Sequence, residues 1–126
     1  MKSARQVRTL ILLLALTAPR AFAHHSFAAF DDTKLVTLNG TVSQFQWTNP
    51  HAWLEVKVVN DDGSSDNWMV EMLSPNVLGR MGWNRASLRP GDQVKVVVHP
   101  ARSGAKGGNM VSVEDKNGRP IGGPQQ

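Results

Sequence analysis

His51-Ala52-Trp53-Leu54-Glu55-Val56-Lys57-Val58-Val59 decides the fold. Ala52, Leu54, Val56 and Val58 fall on one side of an extended chain; His51, Trp53, Glu55 and Lys57 fall on the other. That period of two belongs to a β-strand with one buried face. Upstream, Leu35 to Trp47 alternates less cleanly, with Val36, Leu38 and Val42 on one face and Phe45 and Trp47 on the other. Gly40 interrupts this run, and an interior strand glycine marks a bulge or sharp bend. Thr48-Asn49-Pro50 makes the turn between the two strands, since Asn favours turns and Pro removes a ladder donor.

Downstream, Asp61-Asp62-Gly63-Ser64 is a hairpin connection into a third strand over Asn67 to Leu73. Ser74 then caps a short helix with Pro75 at its first position, Leu78 and Met81 facing the core, and Gly82 ending it. The turn Leu88-Arg89-Pro90-Gly91-Asp92 leads to a strand from Val94 to His99. A glycine-rich loop, Ser103 to Gly108, leads to a fifth strand around Met110 to Val113. Three strands, a helix and two strands is the order of an OB-like barrel: all-β with one short helix, five strands, closed on itself. A small open β-sandwich is the alternative. The Gly- and Pro-rich stretch from 117 to 126 reads as a flexible tail.

The first residues read differently. Leu10 to Leu16 is an unbroken apolar run preceded by Lys2, Arg5 and Arg8 and followed by Ala21-Phe22-Ala23. Basic, apolar, then small-x-small is the pattern of a secretory signal peptide, and the run is too short to span a bilayer. Cleavage after Ala23 divides the chain into a signal peptide (1–23), an N-terminal segment (24–34), the barrel (35–116) and the tail (117–126), with a periplasmic or secreted destination. It also removes Lys2, Arg5, Arg8 and Arg20, leaving ten of the 14 basic residues against ten acidic ones. A neutral surface gives no long-range attraction to phosphate backbones, so nucleic acid is not an expected partner. No second apolar stretch could anchor the remaining chain in a membrane, and the chain contains no cysteine to supply a disulfide or a thiolate.

All four histidines, His24, His25, His51 and His99, follow the expected cut. A chain beginning at His24 offers a metal its α-amine and its ring. Such an amine has a pKa of about 7.7–8.0, low enough for a metal to displace the proton near neutrality. Imidazole nitrogens suit copper, zinc and nickel, and the affinity order favours Cu(II). His24, with His25, His51 and His99 as partners, is therefore one candidate site. The competing reading makes the paired histidines a polar leader and the other two loop residues. No His-x-His or His-x-x-x-His spacing ties two ligands to one element.

The second candidate is a face carrying Phe45, Trp47, Trp53 and Glu55, suited to a peptide, a glycan or another envelope protein without any metal. Its competing reading is plain packing, the usual work of large aromatic rings. Glu55 and Glu71 read as solvated strand residues, and Arg80 and Arg85 as surface charges. No serine lies in a nucleophile-elbow context, so an enzyme is not the favoured reading.

His24-His25-Ser26-Phe27, Gly40-Thr41-Val42, Trp47-Thr48-Asn49-Pro50-His51, Ser74-Pro75-Asn76, Gly82-Trp83 and Pro90-Gly91-Asp92 together resemble an uncharacterised family of small exported bacterial proteins, classed as a domain of unknown function. The resemblance spans essentially the whole chain after residue 23. It implies an exported single-domain protein and no particular activity.

Overall fold

The computed structural model describes residues 28–123; the expected signal peptide, His24 and His25 lie outside them. Five strands and one helix follow in order: β1 (Val36–Gln46), β2 (Trp53–Val59), β3 (Ser65–Glu71), α1 (Pro75–Arg80), β4 (Gln93–Pro100) and β5 (Gly107–Asp115). They form a closed barrel in the order β1-β2-β3-β5-β4, with β1 pairing antiparallel to β2 over its second half and to β4 over its first. β3 and β5 are parallel and share three residue pairs. This is the small all-β barrel with one helix, and the sandwich alternative is set aside.

β1 can close the barrel because it curls at Gly40. A Cβ there would lie 2.5 Å from the Lys57 carbonyl oxygen and 2.7 Å from a Val56 methyl, so only glycine permits the approach. Gly40 is thus the sharp bend, and the bulge lies three positions later. Val42 pairs with Val56 and Gln44 with Glu55, leaving Ser43 as a bulge. Its consequence is a change of phase: Leu38 and Val42 point inward, then Phe45 does, paired across from buried Leu54.

The interior is filled by Leu54, Val56, Val70, Met72, Leu78, Val96, Val98, Met110 and Val113, each 2 % exposed or less. α1 follows β3, capped by Ser74, whose hydroxyl accepts from the Val77 N–H at 3.4 Å. Gly82, at φ 88°, takes the chain away in the left-handed conformation.

Both flanking segments are tied to the barrel. Phe30 bridges to Ala101, the Asp31 N–H donates to the Pro100 carbonyl, and the Arg102 N–H donates to that of Ala29. At the other end, residues 117–123 are not the flexible tail that their composition suggests. They double back along β5, with the Ile121 N–H bonded to the Val113 carbonyl and the Gly123 N–H to that of Met81. Ile121 packs against the core, and Gly122 lies against the indole of buried Trp83. One apolar side chain and a sterically required glycine outweigh the polar composition of the segment.

Candidate functional site

A continuous row of paired residues starts where β1 and β3 end and β2 begins, and winds across β5 to the end of β4, which lies beside the start of β1. Direct pairing links Gln46 to Trp53, Trp53 to Glu71, Glu71 to Asn109, and Asn109 to His99. Directly opposed residues share a face of the sheet. Phe45, Leu54, Val70, Met110 and Val98 beside them face the interior, so this row lies on the outside. It crosses all five strands.

Glu71 is the exception in the row. An outward strand position predicts a solvated carboxylate, yet Glu71 is 8 % exposed, the one buried charged residue among those described. The reason is the β1–β2 connection. Ala52 continues the ladder beyond β2, its N–H bonded to the Leu73 carbonyl and its carbonyl to the Met72 N–H. The Thr48 hydroxyl donates to the His51 carbonyl at 3.0 Å. His51 is thereby set beside Glu71, and its Nδ1 contacts the carboxylate oxygen Oε1. About a third of the His51 side chain remains exposed.

That contact decides which ring nitrogen is free. A carboxylate accepts, so Nδ1 carries the proton and the neutral ring keeps its lone pair on Nε2. His99 obeys the same logic, since its Nδ1 lies 2.8 Å from the Lys34 carbonyl oxygen, which can only accept. Both described histidines thus hold Nε2 available. They do not make one site: His99 and Glu71 are two strand spacings apart, about 10 Å, and each ring has its own partner. No three His, Asp or Glu side chains form a metal-binding group among the described residues. The expected set of His24, His25, His51 and His99 would need its first two members to be completed, and these lie outside the description.

The aromatic face is divided by the Ser43 bulge. Phe45 turns to the core side, 5.9 Å from Trp47 in an edge-to-face arrangement and 6.2 Å from Trp83. Both Phe45 and Trp47 pack against the core. Trp53 and Glu55 stay outside, Glu55 between Gln44 and Met69. Phe45 therefore does not share a face with Trp53, contrary to the expected grouping.

Charged groups elsewhere on the barrel are engaged with partners of their own. Lys106 pairs with Asp66 at 3.0 Å and lies 5.7 Å from the Trp68 ring centroid. Hydrogen bonding to Lys106 and to Asn60 holds the Asp66 carboxyl below its usual range. In the N-terminal strap, the Thr33 hydroxyl at 2.6 Å and the Lys34 ammonium at 3.1 Å lower the Asp31 pKa to about 2. Arg80 and Arg85 are exposed, as expected.

Glu71 and Asn109 were not legible as site residues. The only available signal for Glu71 was its place between Val70 and Met72, which also suits an ordinary outward position.

The chain belongs to DUF6152, a family of unknown function, whose model matches residues 12–111. No curated protein and no solved structure matches it.

Proposed function

We propose that the protein is exported to the periplasm and binds a divalent cation, Cu(II) foremost, at the His51–Glu71 end of the barrel, with the processed amino terminus at His24 as anchor ligand. The observation that carries this reading is the buried Glu71 carboxylate on His51 Nδ1. Metal-binding histidines characteristically donate their second ring nitrogen to a carboxylate, which fixes the tautomer and raises the basicity of the other. Here that other nitrogen, Nε2, belongs to a partly exposed ring at a barrel end.

The strap supports the same reading. Phe30 is held at Ala101, which is bonded to Gly107 at the start of β5. Six residues back from Phe30 to His24 span up to about 20 Å when extended, against the two strand spacings and short axial step that separate Ala101 from Glu71. The amine and ring of His24 with His51 Nε2 make a nitrogen-rich set suited to tetragonal Cu(II), and His25 can add a fourth nitrogen. A metal-independent aromatic site draws less support, because Phe45 and Trp47 are committed to packing.

The test is Cu(II) electron paramagnetic resonance on a chain beginning at His24, verified by intact mass. One tetragonal, nitrogen-rich signal saturating at one equivalent is expected. It should be lost when one residue precedes His24, and weakened at least about tenfold, or about 1.4 kcal/mol, in His51→Ala. Heterogeneous signals indifferent to both changes would overturn the proposal.

A further inference from the structure

We infer that the outer edge of β5 is a binding groove for an extended peptide of another protein, with residues 119–123 of this chain as its resident, displaceable occupant. The inference is independent of the copper reading. β5 pairs with β3 only from Gly107 to Asn109, so the later part of this edge has no barrel strand beside it. The returning segment takes that place. The Asp115 N–H donates to the Arg119 carbonyl and the Ile121 N–H to the Val113 carbonyl, each at 2.9 Å, and Pro120 bridges antiparallel to Glu114. Adding a strand to an open sheet edge is a common way of binding peptides, and here the chain does it to itself.

Two features show that the resident segment fills the groove incompletely. Trp83 is 3 % exposed, and its Nε1 is buried with no hydrogen-bond partner among the described residues. Gly122 lies directly against that nitrogen, since a Cβ there would come within 1.9 Å of it. The segment therefore covers the indole but gives its N–H no acceptor, and an unpaired buried donor is destabilising. Beside Ile121 there is also a cleft of about 550 Å³, lined in part by the core residues Leu88 and Val94. That space suits a larger apolar side chain than isoleucine.

The present occupant defines the ligand class: extended backbone, an apolar residue at the Ile121 position, then a residue without a Cβ over Trp83. A ligand whose carbonyl meets Trp83 Nε1 gains a bond that the resident segment lacks. A second copy of this chain is the weaker candidate, because exchange would straighten a well-tied turn. In that turn the Asp115 carboxylate accepts from the Asn117 and Arg119 N–H groups at 2.8 and 3.0 Å, and Gly118 adopts φ 74°.

The test uses two full-length variants. Gly122→Ala drives a Cβ into the indole, and Ile121→Asp removes the apolar anchor. Both should red-shift tryptophan emission. A synthetic peptide of residues 118–126 should reverse the shift saturably in both, whereas the same peptide carrying Ile121→Asp should not. By anisotropy of the labelled peptide, the wild type should bind at least about tenfold more weakly than the variants, because a short tether gives its own segment an effective concentration on the order of millimolar. Unchanged emission, no binding to either variant, or equal binding of both peptides would overturn the groove. Concentration-dependent dimers of the variants without peptide would overturn the partner assigned here in favour of a second copy. Hydrogen exchange in the wild type checks the same point without a variant. The Ile121 amide should exchange faster than the β4 amides, and exchange of both at one global rate would refute displacement.

Discussion

Separating His51 from Glu71 should destabilise the barrel by an amount fixed by how the pair is buried. Hydrogen bonds to charged groups contribute about 1.5–3 kcal/mol, and a buried charge deprived of its partner costs more than that bond alone. Glu71 is 8 % exposed, but about a third of the His51 side chain meets water, which screens the interaction. The discounted coupling is about 1–2 kcal/mol. Three variants measure it: His51→Ala, Glu71→Gln and the double substitution. His51→Ala should cost most, because it strands a carboxylate in a shielded position. Glu71→Gln should cost less, since an amide oxygen can still accept from Nδ1. The double variant should be less destabilised than the sum of the singles by about 1 kcal/mol. Urea denaturation followed by tryptophan emission gives each free energy, and a domain this small should unfold in one cooperative step. In thermal unfolding, His51→Ala should lose about 5–10 °C. Additivity within about 0.5 kcal/mol would refute the coupling, and with it the assignment of the Nδ1 proton on which a free Nε2 depends.

Two further outcomes follow from the flanking segments. Deleting residues 118–126 removes Ile121 from the core margin and Gly122 from the Trp83 indole, and should cost about 1–3 kcal/mol, lowering the thermal midpoint by about 5–20 °C and red-shifting emission as Trp83 meets water. Unchanged emission would show that these residues do not seal the barrel. Asp31 makes the N-terminal strap sensitive to acid: its pKa is lowered from 3.8 to about 2, so its stabilisation is complete above the unfolded value and is lost as pH falls through about 2. Hydrogen exchange at the Arg102 amide, bonded to the Ala29 carbonyl, should accelerate between pH 4 and 2 before the β-strand amides do, and Asp31→Asn should abolish that difference. Simultaneous loss of strap and strands would contradict it.

The strand order and the helix were legible because each rests on local chemistry: alternation in β2, the Ser74-Pro75 start of α1, and the turn at Pro90-Gly91. What was not legible rests on contacts between distant residues. The stretch Gln44-Phe45-Gln46-Trp47 alternates equally well in either phase, and only pairing with β2 reveals that Ser43 is extra. The inward turn of Phe45 follows from that one residue. Glu71 presents the same difficulty. Its alternation correctly places it outside, but its burial comes from His51, twenty positions away, which no local pattern connects to it. In the last segment, polar composition outnumbered Ile121, although a single well-seated side chain suffices to anchor a short strand return.

The buried carboxylate of Glu71 is the point at which fold requirements and sequence part. A barrel of this size needs nothing charged at position 71; an apolar residue of similar volume would shed the desolvation cost and satisfy the same register. The neighbouring row positions Gln46, Trp53, Asn109 and His99 show that the outer face tolerates neutral side chains. Retaining a carboxylate there, with a histidine placed to share it, makes sense if the benefit lies in what the histidine presents on its other side. Local departures of this kind concentrate where a protein acts rather than where it folds. Here the departure lies where the β1–β2 connection meets the end of β3, with the His51 ring partly open to solvent. A fixed ring orientation and a shielded carboxylate therefore meet at one point, although packing alone required neither.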